Sequence, residues 1–322
     1  MVRLKGIEFG NVFAASGTLN FFGQGWPHQQ IIIGIIPGFD LSGATFISKT
    51  TTLEPRRGNM PLDGSYRPEK LFPDCIKVFP LKGVVLNAVG LSGPGAETLF
   101  KAGHWQNRKN PFFISFMAVG ETKEGRLDEM ERFVDLLKSH LPGFKAQIAL
   151  EVSVTCPNTE HDPQELVLEA IELLQIVRAK LSIPVTLKIN VLTAIKSVKE
   201  ITDSGLCDAL SLSNAIPWGQ LPKIIDWKKI FGTTVSPFVR YDYGEGALSG
   251  RLLLPIVEDY IKELRKAKIS ISVIAGGGVL NKKGVRILKN AGADAIALAS
   301  ITILRPWRTK GTINYANQLF GG

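Results

Sequence analysis

The sequence predicts a (β/α)8 barrel, a TIM barrel, with long loops inserted over its C-terminal face. Eight short apolar runs alternate with helical stretches, the pattern of parallel strands joined by crossover helices. Most of these runs are apolar throughout, as parallel strands covered on both faces are. Eight strands favour closure over an open sheet, and 322 residues suit one large barrel domain spanning 1–322.

In chain order, strands are expected at 12–15, 45–49, 112–117, 148–154, 185–189, 209–213, 272–275 and 295–299. Helices are expected at 128–140, 163–181, 194–204, 252–268 and 282–291. The stretch 163–181 has apolar residues at 166, 167, 170, 171, 174 and 177, a helical period. Asp162 is its natural N-cap, with Pro163 in the first turn. Two stretches, 50–86 and 214–250, read as long irregular loops, which usually carry function or cover a site.

Composition narrows the class. Hydrophobic residues make up 45% and charged residues 21%, so the chain can bury a sizeable core and disorder is not expected. Cys75, Cys156 and Cys207 are odd in number and lack CxxC or CxxH spacing, which argues against a disulfide framework or a zinc site. The opening MVRLKGIEFGN is too polar for a signal, and the apolar run 31–36 is broken by Gly34 and ended by Pro37. A membrane span needs roughly 20 residues, so a soluble cytoplasmic protein without membrane contact is the expectation. The net charge of +9 invites a nucleic-acid reading, but the basic residues are scattered and form no block. No nucleic-acid partner is expected; attraction of an anionic substrate or a phosphate-bearing cofactor is the milder reading.

In such barrels the chemistry lies at the C-terminal ends of the strands. Read there, the chain offers Ala15-Ser16-Gly17, Lys49-Thr50, Lys188-Ile189-Asn190, Ser213-Asn214, Ala275-Gly276-Gly277-Gly278 and Ala299-Ser300. The run VIAGGGVLN followed by GADAIALASITI has the form of a barrel phosphate site, where glycines admit backbone N–H groups to the oxygens. Lys49 and Lys188 on the same rim are costly to bury unless an anion meets them. A reduced flavin fits that demand. Asn87, Asn158 and Asn214 add amides that suit a ligand with imide or carboxylate groups. The fourth run ends in Thr155-Cys156-Pro157-Asn158, where Pro157 stops strand pairing and leaves a thiol beside an amide. These residues alone also fit a flavin-free phosphate-binding lyase or isomerase, or a basic binding module.

Taken together, AASGT (14–18), SKTTTLEPRRGN (48–59), LNAVGL (86–91), SVTCPN (153–158), LKIN (187–190), SNA (213–215), GALSG (246–250), AGGGV (275–279) and the GAD…LAS ending (292–300) resemble the dihydroorotate dehydrogenase family of FMN-containing barrels. The resemblance covers nearly the whole chain. It implies oxidation of dihydroorotate to orotate in pyrimidine biosynthesis, with Cys156 as the general base of the soluble, cysteine-using class. It implies FMN held by Ala15, Ser16, Gly17, Lys49, Thr50, Ser115, Lys188, Gly250, Gly277, Gly278 and Ser300. It implies substrate held by Lys49, Asn87, Ser153, Asn158 and Asn214. It implies a homodimer, with an electron-transfer partner subunit as one route for the electrons.

One departure stands out. The family usually has Asn-x-Ser-Cys-Pro-Asn, whereas this chain has Ser153-Val154-Thr155-Cys156-Pro157-Asn158. Ser115 likewise stands where the family's strand-three asparagine is expected. An amide lost from a polar pocket can change specificity by orders of magnitude. A flavin oxidoreductase acting on another cyclic or unsaturated substrate is therefore the alternative reading.

Overall fold

The computed structural model describes residues 1–154, 169–212 and 214–322. Its centre is a parallel sheet of eight strands: β1 (Val12–Ala14), β2 (Thr45–Phe46), β3 (Phe112–Phe116), β4 (Ile148–Ser153), β5 (Val185–Ile189), β6 (Ala209–Leu212), β7 (Ser272–Ala275) and β8 (Ala295–Leu298). Each of the eight apolar runs contains one of them. They neighbour one another in the order β2-β1-β8-β7-β6-β5-β4-β3. Parallel bridges between Ile47 and Phe113 and between Thr51 and Phe116 join the two ends. The Ser48 amide donates to the Phe113 carbonyl and the Thr51 amide to that of Ser115, both at 2.9 Å. The ring is thereby closed, as the strand count predicts.

The barrel is filled rather than hollow. Phe13, Ile47, Phe113 and Ala149 pack inside it, joined from below by Val2, Leu4 and Phe9. Those three come from a hairpin of Val2–Leu4 with Ile7–Gly10 that the sequence reading did not include. Its two-residue turn places Lys5 at φ 46° and Gly6 at φ 82°, the left-handed pair that matches strand twist in a tight hairpin. The rings of Phe9 and Phe113 lie 4.6 Å apart, so the hairpin plugs the N-terminal end of the barrel.

The helices bury one face each. Helix Leu253–Lys266 turns Leu253, Val257, Tyr260, Ile261 and Leu264 inward. Helix Lys282–Ala291 starts where the Asn281 side chain accepts from the Gly284 amide, and ends at Gly292 with φ 109°. Helix Lys123–His140 begins before the expected residue 128, because Thr122 caps it by accepting from the Gly125 amide. Helix Ala170–Lys180 matches the later part of the expected 163–181, whose first turn lies outside the described residues. A further helix, Thr309–Gly321, closes the chain against the barrel. Among the described residues no helix is long and apolar enough to cross a membrane.

The two stretches expected to be irregular are partly ordered against each other. Ile216–Pro217, Ala247–Gly250, Val84–Asn87 and Ile76–Phe79 form a four-stranded antiparallel sheet in that spatial order. Ala247 pairs with Asn87 and Gly250 with Val84. Strands of two to four residues paired across such distances leave little local signal. The second loop thus lies across the first, over the C-terminal rim.

Candidate active site

A cavity of about 300 Å³ opens at that rim, bounded by the barrel strand ends and the accessory sheet. Its wall follows the order of the strands. Ala15, Ser16 and Gly17 follow β1, and Lys49 and Thr50 follow β2. Ser153 ends β4 and Lys188 lies in β5. Asn214 follows β6, Gly277 and Gly278 follow β7, and Ser300 follows β8. Asn87 and Gly250 reach it from the accessory sheet. The candidate residues are spread over more than 280 positions of chain, and the fold brings these into one wall. Cys156 and Asn158 lie outside the described residues, as do Ser213 and His161.

Ser115 is set behind the wall. It is fully buried, and its hydroxyl donates to the Glu151 carboxylate at 2.8 Å and meets the Thr50 hydroxyl at 2.9 Å. The hydroxyls of Ser16 and Thr50 lie 2.7 Å apart.

Each lysine has been given a setting. The Lys49 ammonium donates to the Ser92 carbonyl at 2.7 Å and stands 5.1 Å from the centre of the Phe21 ring. Its residue is 6% exposed, so carbonyl and ring take over part of the role of water. The Lys188 ammonium lies 3.8 Å from the Glu151 carboxylate. Ser153 of β4 and Ser211 of β6 flank Lys188 in register, and both line the cavity. Around this lysine the wall therefore carries short hydroxyls rather than amides.

The glycines leave space that side chains would fill. Gly277 and Gly278 hold φ 105° and 80°, the left-handed region open to glycine. A Cβ on Gly278 would come within 2.6 Å of the Leu254 amide nitrogen and 2.7 Å of the Gly250 carbonyl. The donor set and this bare backbone suit a phosphate-bearing, anionic ligand. The loop after β1 is pinned by the Trp26 indole donating to the Gly17 carbonyl, and by the Gln29 amide donating to that of Thr18. His28 beside them lines the cavity, and burial lowers its imidazole below the usual value.

Two titratable members of the described wall escaped the sequence reading. Glu151 is 1% exposed, and His28 lies in the short helix Pro27–Ile32 after the β1 loop. The signal for Glu151 was an acid inside the otherwise apolar run IALEVSV. Among the described residues no cluster of His, Cys, Asp and Glu could hold a metal ion.

A family model described as dihydroorotate dehydrogenase matches residues 2–310. The dihydroorotate dehydrogenase B (NAD(+)), catalytic subunit, of Geobacillus sp. (strain WCH70) is 30% identical over 318 residues, covering 95% of this chain and 86% of that protein. Its counterpart of the same name in Staphylococcus carnosus (strain TM300) is 28% identical over 325 residues, covering 97% and 90%. The crystal structure of DHODH from Eimeria tenella in complex with ferulenol superimposes with a TM-score of 0.67 at 18% identity, over 99% of this chain and 84% of that one. At that identity the likeness speaks for the barrel alone. With the family match running over almost its whole length, the chain belongs to the dihydroorotate dehydrogenase family.

Proposed function

We propose that this protein oxidises dihydroorotate to orotate with FMN as its resident cofactor. The observation that carries the reading is the joint placement of Lys49, Lys188 and the Gly277-Gly278 turn in one cavity wall. When bound, FMN supplies the acceptor for the substrate's hydride. The chain does the rest. Gly277, Gly278 and Ser300 hold the phosphate, and Ala15, Ser16, Gly17, Thr50 and Gly250 shape the floor. Lys49 and Lys188 balance the negative charge that two-electron reduction brings into the cavity. Asn87, Asn158, Asn214 and Ser153 orient the substrate's imide and carboxylate. Cys156, as thiolate, takes the proton from the neighbouring ring carbon, so one proton and one hydride leave together.

The two curated relatives carry NAD(+) and "catalytic subunit" in their names. We extend that to this chain: its electrons pass to a partner subunit. Ser153, which lines the cavity where the family usually has asparagine, supports a second reading, oxidation of a different cyclic substrate.

Anaerobic mixing with dihydroorotate tests both. The purified protein should be yellow, hold about one flavin per chain and bleach on mixing, with one orotate formed per flavin. A yellow protein that dihydroorotate leaves oxidised would transfer the case to the second reading. A colourless protein that takes up no FMN would end both.

A further inference from the structure

Lys188 does not stand alone, and its partner is the one acid among the described residues of the cavity wall. Glu151 lies in β4, and its register partner in β3 is Ser115. Its carboxylate accepts from the Ser115 hydroxyl at 2.8 Å and sits 3.8 Å from the Lys188 ammonium. Its side chain is 1% exposed and that of Lys188 13%. A carboxylate only accepts, so the single Ser115 hydroxyl proton is committed to it. Thr50 must then donate to Ser115 across their 2.9 Å contact, and Ser16 to Thr50 across 2.7 Å. Three hydroxyl dipoles, from the ends of β1, β2 and β3, thus point their protons toward one buried negative charge. Such aligned hydrogen bonds reinforce one another where water is scarce.

We infer that Glu151 is a positioning residue: it fixes the Lys188 ammonium against the wall and offsets part of its charge. The inference rests on the flavin reading of the cavity. An unopposed ammonium would favour the anionic, reduced flavin more strongly, and the carboxylate tempers that preference. The hydroxyl chain holds the carboxylate in place, so the tempering is built into the fold.

The measurement is the two-electron midpoint potential of the bound flavin, with thermal melting as the folding control. Glu151→Gln keeps the shape and the Ser115 contact but removes the charge. It should hold reduced flavin about tenfold more tightly relative to oxidised flavin, a rise of about 30 mV. Glu151→Asp keeps the charge but withdraws it, and should move the potential the same way by about threefold. Lys188→Met should move it about tenfold in the opposite direction. Glu151 is proposed to act through the Lys188 ammonium, 3.8 Å away. Adding Glu151→Gln to Lys188→Met should therefore change nothing further. A purely structural Glu151 would lower the melting temperature and leave the potential alone. Flavin-replete Glu151→Gln and Glu151→Asp proteins within twofold of wild type, about 9 mV, would overturn the assignment and leave the flavin reading intact. A wild-type chain that takes up no flavin would overturn both.

Discussion

At the scale of single residues, the three cysteines are set apart by what surrounds them. Burial pushes the Cys75 thiol up to about 11 and the Cys207 thiol up to about 12. At neutral pH both stay protonated, and a protonated thiol is a poor nucleophile. A general base has the opposite needs: access to substrate and a share of thiolate. Alkylation of the native protein should thus show one fast thiol whose rate rises with pH, and two that react only on unfolding. Cys156→Ala should abolish the fast phase while FMN stays bound, and should slow flavin reduction by roughly 10²–10⁴-fold. A fast phase that survives in that variant would remove Cys156 from the mechanism. The legibility of the site divides in the same way. Lys49 and Lys188 could be read because a cation ending an apolar strand is conspicuous. Glu151 could not, because an acid in mid-strand acquires meaning only from Lys188 and Ser115, and the latter lies 36 positions away. Ser115, expected among the FMN contacts, stands behind the described wall, since sequence shows which strand a hydroxyl belongs to but not how deep it sits.

At the scale of elements, the two ends of the barrel divide stability from function. The hairpin Val2–Leu4 with Ile7–Gly10 seals the end remote from the cavity through Phe9, which is 2% exposed. Phe9→Ala should cost about 3–5 kcal/mol, as loss of a buried ring does, and leave the flavin potential unchanged. Gly250 is the contrasting case. It holds φ 110°, and a Cβ there would come within 2.4 Å of the Gly83 carbonyl and 2.8 Å of the Val84 Cα. Gly250→Ala must therefore spread the accessory sheet where Val85, Asn87 and Ser249 line the cavity. It should weaken FMN binding as well as stability. Chemical denaturation beside flavin titration separates the two. Equal flavin affinity in the two variants would show that the accessory sheet does not shape the site. The barrel strands were legible because most are largely apolar runs followed by a helix. The accessory sheet was not, since its pairing of Ala247 with Asn87 joins residues 160 positions apart. The N-terminal hairpin was missed for a different reason. Its strands are three and four residues long, and only the turn at Lys5-Gly6 marks it.

At the scale of the whole molecule, the question is where the electrons go after the substrate has been oxidised. The chain has three cysteines, too few for a four-cysteine iron–sulfur cluster, and two of them are buried thiols. The glycine turn at Gly277-Gly278 lines the cavity proposed above for FMN. The names of two relatives carry both NAD(+) and a catalytic subunit, and the partner subunit proposed above for this chain can be tested directly. The isolated protein should therefore complete one turnover with dihydroorotate and then stop when NAD(+) is the only acceptor. A small artificial acceptor that reaches the flavin should restore continuous turnover, because the first half of the reaction is intact. Two progress curves decide it, orotate formation with NAD(+) and orotate formation with a dye. Orotate that accumulates well beyond the flavin concentration with NAD(+) alone, with NADH appearing in step, would show that this chain needs no second subunit. A curve that stops at one orotate per flavin with NAD(+) but runs on with the dye would place the exit for electrons on another protein.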